Sequence, residues 1–115
     1  MKMLLAFSLI LSASVVHAEG DPEITYLLTT VESSGCTFIR NGDDHASADA
    51  ADHLRMKYKR AGKRIGSAED FIKRIASKSF LSGKPYTIQC EGDEPEPTGE
   101  WLSEQLAEFR SASQG

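Results

Sequence analysis

Several familiar chemistries are missing from this 115-residue sequence. It has no Gly-x-Ser-x-Gly nucleophile elbow, no Gly-rich phosphate loop and no zinc-protease helix. An enzyme reading therefore has no constellation to rest on, and neither catalysis nor a cofactor is expected. The serines fall at caps and turns, where local hydrogen bonding explains them. No segment repeats. Cysteine occurs only at Cys36 and Cys90, and the one long apolar run ends at Val16.

That run begins at Met3, after a single Lys2, and is broken only by Ser8, Ser12 and Ser14. Val16-His17-Ala18 then offers small residues where a signal peptidase cuts. The run is too short to cross a bilayer, and with no cysteine at the cut no lipid anchor is expected. Residues 1–18 thus read as a removed signal peptide, and the product as a soluble periplasmic or secreted protein without a membrane span. Of 115 residues 97 remain, enough for one small domain, residues 19–115. An oxidising compartment makes Cys36–Cys90 a structural disulfide rather than a reactive thiol. Closing that loop destabilises the unfolded chain by about 4 kcal/mol.

Charge is unevenly spread. Residues 55–84 hold ten Lys or Arg against Glu69 and Asp70; residues 19–54 hold eight acids against Arg40, and residues 85–115 seven against Arg110. Acidic arms beside a basic middle explain this as solvated faces. The functional alternative makes Arg55, Lys57, Lys59, Arg60, Lys63 and Arg64 a basic patch for an envelope protein, peptidoglycan or another anionic envelope polymer. Nucleic acid is not an expected partner outside the cytoplasm.

Asp21-Pro22-Glu23 predicts a helix start, with Ile24, Leu27, Leu28 and Val31 as its buried stripe and Gly35 as its end. Cys36 to Arg40 is β-rich, Asn41-Gly42 signals a hairpin turn, and Asp43 to His45 should return. Ser47 is expected to cap a second helix to about Arg60 that buries Ala50, Ala51, Leu54, Tyr58 and Ala61. Ser67 to Asp70 resembles a capping box opening a third helix that buries Phe71, Ile72, Ile75 and Ala76. Tyr86 to Cys90 alternates as a third strand, residues 91–97 read as an acidic, proline-bearing linker, and Thr98 begins a last helix with Trp101, Leu102, Leu106 and Phe109. The fold class is α+β: helix, β-hairpin, two helices, strand and helix.

A Cys36–Cys90 bond across antiparallel strands pairs Phe38 with Ile88 and Arg40 with Tyr86. The Asn-Gly turn independently pairs Arg40 with Asp43 and Phe38 with His45. Both registers give a three-stranded sheet of order 2-1-3. They gather Arg40, Asn41, Asp43, Lys84 and Tyr86 at one sheet end, with Ser82 and Gly83 in the adjoining turn; these are the candidate binding residues. A purely structural account pairs Arg40 with Asp43 and packs it on the Tyr86 ring. His45, Asp49 and His53, spaced by four, form an alternative metal set for a small hydrolase. Against it, the register turns His45 inward as a satisfied core histidine and leaves Asp49 and His53 as a surface pair, so no metal is expected.

At Phe38-Ile39-Arg40-Asn41-Gly42, His53-Leu54-Arg55, Ala68-Glu69-Asp70-Phe71-Ile72 and Ser82-Gly83-Lys84-Pro85-Tyr86 the chain resembles the YfeK-type family of small exported bacterial proteins, a domain of unknown function. The resemblance covers residues 24 to about 90 and implies an exported single domain with nothing catalytic. Ser82-Gly83-x-x-Tyr86 is also similar to the loop by which some periplasmic lysozyme inhibitors enter the enzyme's cleft. The expected function is a non-enzymatic, exported binding or envelope-interaction module, with lysozyme inhibition as its alternative.

Overall fold

The computed structural model describes residues 21–114; the expected signal peptide lies outside them. Asp21 caps α1, Pro22–Ser33, by accepting the Glu23 and Ile24 amides at 2.7 and 3.4 Å. The expected stripe Ile24, Leu27, Leu28 and Val31 is buried. β1, Thr37–Arg40, turns through Asn41 and Gly42 into β2, Asp43–His45. Both turn residues have positive φ, 52° and 84°, the conformation whose twist matches the paired strands and which Asn-Gly adopts most readily.

α2 spans Ser47–Ala61, but Ser47 does not cap it. Its hydroxyl donates instead to the Glu32 carbonyl at 3.1 Å, tying α2 to the end of α1. A 3-10 turn, Gly62–Arg64, leads to α3, Ala68–Phe71, where Ser67 accepts the Asp70 amide at 3.0 Å. Asp70 in turn accepts the Gly66 amide at 3.1 Å, one residue before the usual capping-box partner. α3 widens into a π segment, Ile72–Ala76, keeping Phe71, Ile72, Ile75 and Ala76 inside. β3, Thr87–Gln89, β4, Glu96–Pro97, and α4, Thr98–Gln114, complete the chain.

The sheet is antiparallel with order β2-β1-β3-β4. Phe38 lies opposite both His45 and Ile88, and Arg40 opposite Asp43, as the two registers require. Cys36 and Cys90 are bonded, their Cα atoms 4.3 Å apart, the close spacing of a narrow antiparallel pair. The sheet has four strands rather than three, because the end of the expected 91–97 linker forms β4. Pro95 and Pro97 argue against a strand in the sequence, yet an edge strand has one side that donates to no neighbour and tolerates proline. The Thr98 amide, donating to the Tyr86 carbonyl at 2.9 Å, fastens β4 and the start of α4 to the sheet.

One sheet face, through Phe38 and Ile88, closes on the helices, and Leu27, Phe71, Leu102 and Leu106 fill the space between them. Aromatic rings bridge these layers: Phe38 meets Trp101 edge-on at 6.2 Å, and Tyr26 stacks on Phe109 at 4.4 Å. Arg110 of α4 makes two 2.8 Å bonds to Glu23 of α1 and a 2.7 Å bond to Glu69 of α3. These bonds hold both carboxyls below their usual range, so this tie is complete above that range and is lost as acid protonates them.

Candidate functional site

A cavity of about 240 Å³ opens between the β1–β2 hairpin and α2, with Phe38, Leu54 and Thr98 beside Arg40, His45, Asp49, His53 and Tyr86. Three features of the fold assemble it. The hairpin register places Arg40 and His45 on β1 and β2, the four-residue period of α2 aligns Asp49 with His53, and the β4–β3 link holds Thr98 behind them.

Its polar atoms are unevenly satisfied. Thr98 is 1% exposed, yet its Oγ1 has no hydrogen-bond partner, and neither has the buried His45 Nε2. Of the described residues' side chains, these are the two buried polar groups left without partners. An unsatisfied buried group costs about 1–3 kcal/mol. His45 is therefore not the satisfied core histidine the register suggested. Arg40 is also uncommitted: among the described residues it makes no ion pair or side-chain hydrogen bond, so the expected Arg40–Asp43 pair is absent.

Lys57, not Arg40, engages Tyr86. Its ammonium donates to the Tyr86 hydroxyl at 2.9 Å, and to the Ile75 and Lys78 carbonyls at 2.7 and 3.4 Å. It also lies 4.8 Å from the ring centroid, a separation set by the hydroxyl bond rather than by a cation on the ring face. The Ile75 acceptor lies at the carbonyl end of the π segment and the Lys78 carbonyl just beyond it, a natural place for a cation. Tyr86 Oη lies 3.5 Å from His53 Nε2, at the outer limit of a hydrogen bond.

Burial foremost, and then the nearby Arg40, Lys57, His45 and Arg60, together lower the His53 imidazole to about 4, so it is neutral at pH 7. Burial and Arg40 bring Lys57 down to about 8, and burial raises Tyr86. The cavity's lining thus holds Arg40 as its cation and Asp49 as its acid, and the Lys57 ammonium adjoins it through the Tyr86 hydroxyl.

The other expected residues divide. Asn41 and Ser82 meet, the Ser82 hydroxyl donating to Asn41 Oδ1 at 2.7 Å, while Asp43 and Lys84 are exposed and Gly83 takes φ +73° in the turn. Tyr86 is 6% exposed, which removes it from any contact made by the turn's surface. His45, Asp49 and His53 share the cavity, but among the described residues no three His, Cys, Asp or Glu side chains are grouped to hold a metal ion. The basic patch is split by helical periodicity. Arg55 pairs with Glu32 and Asp52, whereas Lys57, its ammonium bonded inward, lies with Arg60, Arg64, Lys73, Arg74 and Lys78 along a separate groove. Sequence reasoning placed Lys57 in the basic patch rather than against Tyr86, and missed Thr98. The 45, 49, 53 spacing continues to Lys57, a signal on one helical stripe; Thr98 carried none, because strand β4 delivers it.

No solved structure matches the chain. It is 40% identical over 72 residues to the uncharacterized protein YfeK of Salmonella typhimurium, a match covering 62% of this chain and 60% of that protein. The chain thus spans less than two thirds of the length of this curated relative. The matched family model reaches residues 18–110, which include all four strands and most of α4, and the chain belongs to that family, the family of unknown function DUF5329.

Proposed function

We propose that this chain is an exported, non-enzymatic binding protein that takes a small anion, carrying a carboxylate or phosphate group, into the cavity beneath Arg40. One observation carries the reading: an uncommitted guanidinium lines a cavity together with two buried polar atoms that lack partners, Thr98 Oγ1 and His45 Nε2. A ligand oxyanion suits the guanidinium, and a neighbouring hydroxyl or amide suits the other two atoms. At about 240 Å³ the space admits a small group or one end of a larger molecule. Neutral His53 adds no charge of its own and offers either a donor or an acceptor.

The test is thermal denaturation of the chain from Glu19 with a panel of small carboxylates and phosphates. A ligand present at about 100 times its Kd stabilises the fold by about 2.7 kcal/mol. Arg40→Ala should abolish that shift. No shift with any member of the panel would leave the cavity a hydrated packing defect.

Lysozyme inhibition is the second reading. It is favoured by the exposed Lys84 beside Ser82, while buried Tyr86 confines the contact to the turn's outer residues. The parent protein should then inhibit lysozyme-driven lysis, and Lys84→Ala should relieve it without lowering the melting temperature.

A further inference from the structure

The turn between the π segment and β3 displays Phe80 and Leu81, 89% and 92% exposed. Single exposed apolar residues are ordinary; two large neighbours held almost wholly in water are not. The turn beneath them is tied down. The Ser79 amide donates to the Lys84 carbonyl at 3.0 Å, the Gly83 amide to the Ser79 carbonyl at 2.9 Å, and the Lys84 amide to Ser82 Oγ at 3.1 Å. Asn41 of the hairpin turn holds Ser82 at 2.7 Å. The apolar tip is thus presented by a bonded base rather than left over from a loose loop.

Beside the tip lies a groove of about 960 Å³ that Phe80 helps to line. Arg60, Arg64, Lys73, Arg74 and Lys78 line it as well, and no carboxylate does. Arg74 reaches Asp70 at 3.7 Å, whereas Arg60, Lys73 and Lys78 make no ion pair among the described residues. Strong positive charge here contrasts with an acidic chain, whose formal net charge is −4.

We infer that this face docks on an anionic lipid bilayer, with Phe80 and Leu81 entering the headgroup boundary while the groove's cations meet lipid phosphates. Charge complementarity and shape select this occupant. An acidic segment lying in the groove would cover Phe80 but leave Leu81, which does not line it, in water. A planar, deformable, negative surface engages the protruding pair and the cations together. Apolar insertion with electrostatic attraction is how a reversible surface contact reaches useful strength without a spanning helix, and among the described residues no helix is long and apolar enough to span.

The experiment is flotation of the chain from Glu19, which contains every described element, with vesicles of phosphatidylglycerol mixed into phosphatidylcholine, and with phosphatidylcholine alone. The protein should float with the anionic vesicles, and raised salt should release it, since exposed charges are screened over about 10 Å at 0.1 M. Phe80→Ser with Leu81→Ser should weaken partitioning by about tenfold or more at an unchanged melting temperature. Lys73→Gln and Lys78→Gln should each weaken it by about fivefold. Absence of flotation by the parent, or equal flotation by the double serine variant, would overturn the inference. So would binding to soluble polyglutamate without vesicle binding, which would assign the face to an acidic protein segment. Thr98→Val lies outside this face, so failure here and failure of the anion-binding reading are separable.

Discussion

Lys57 Nζ and the Tyr86 hydroxyl lie 2.9 Å apart, joining the middle of α2 to the residue that leads into β3. The same ammonium closes the π segment through Ile75, so one half-buried cation links three elements around the wall of the cavity. Its bonds account for why a lysine sits there although burial lowers it to about 8: below that pH it is charged, and its protons have fixed acceptors.

Tyr86→Phe removes one acceptor of Lys57 and should cost about 1 kcal/mol in urea unfolding. Lys57→Met takes this donor from the Ile75 and Lys78 carbonyls and from the Tyr86 hydroxyl, and should cost more, about 2–3 kcal/mol. Equal stability of both variants and the parent would show that the contact contributes nothing in solution.

His53 should titrate near 4 rather than near its ordinary 6.5. Because the folded value is the lower one, the unfolded chain takes up the proton first as pH falls. Stability is therefore unaffected by His53 above about 6.5 and is lost progressively between about 6.5 and 4. Following the imidazole resonances by NMR checks the midpoint, and Arg40→Ala should raise it by removing a nearby positive charge.

Thr98→Val keeps shape and discards the unpartnered hydroxyl. It should stabilise the ligand-free protein by about 1 kcal/mol, since a buried group without a partner is replaced by methyl. If the cavity takes an anion, the same variant should bind it more weakly. Loss of stability in Thr98→Val, read by calorimetry, would mean that the hydroxyl already has a partner in solution.

Replacing Cys36 or Cys90 with Ser should cost about 2–5 kcal/mol. Intact mass with and without reduction should differ by the two hydrogens of one disulfide, and unreduced protein should offer no thiol to an alkylating reagent.

The sheet end shows where sequence reasoning carried and where it stopped. The hairpin, the Phe38 register and the cysteine pair were legible because each follows from local turn chemistry and the two-residue period of a strand. The absence of an Arg40–Asp43 pair was not legible: opposition in a register sets which residues are neighbours, not which way a long side chain turns.

By itself, the sequence determined the α+β class, the order of its elements apart from β4, the buried stripes of α1 and α3 and the disulfide, since periodicity, caps and turn residues act within a few positions of one another. Tertiary structure alone decided that a proline-bearing segment becomes β4, that Lys57 points inward, and that Thr98 and His45 keep unpartnered atoms beside one cavity. It also decided that Phe80 and Leu81 remain outside. The physical reason is that burial and hydrogen-bond satisfaction depend on which distant segments close over a residue, and this chain brings them from separations such as Lys57 to Tyr86, 29 positions, and Glu23 to Arg110, 87 positions.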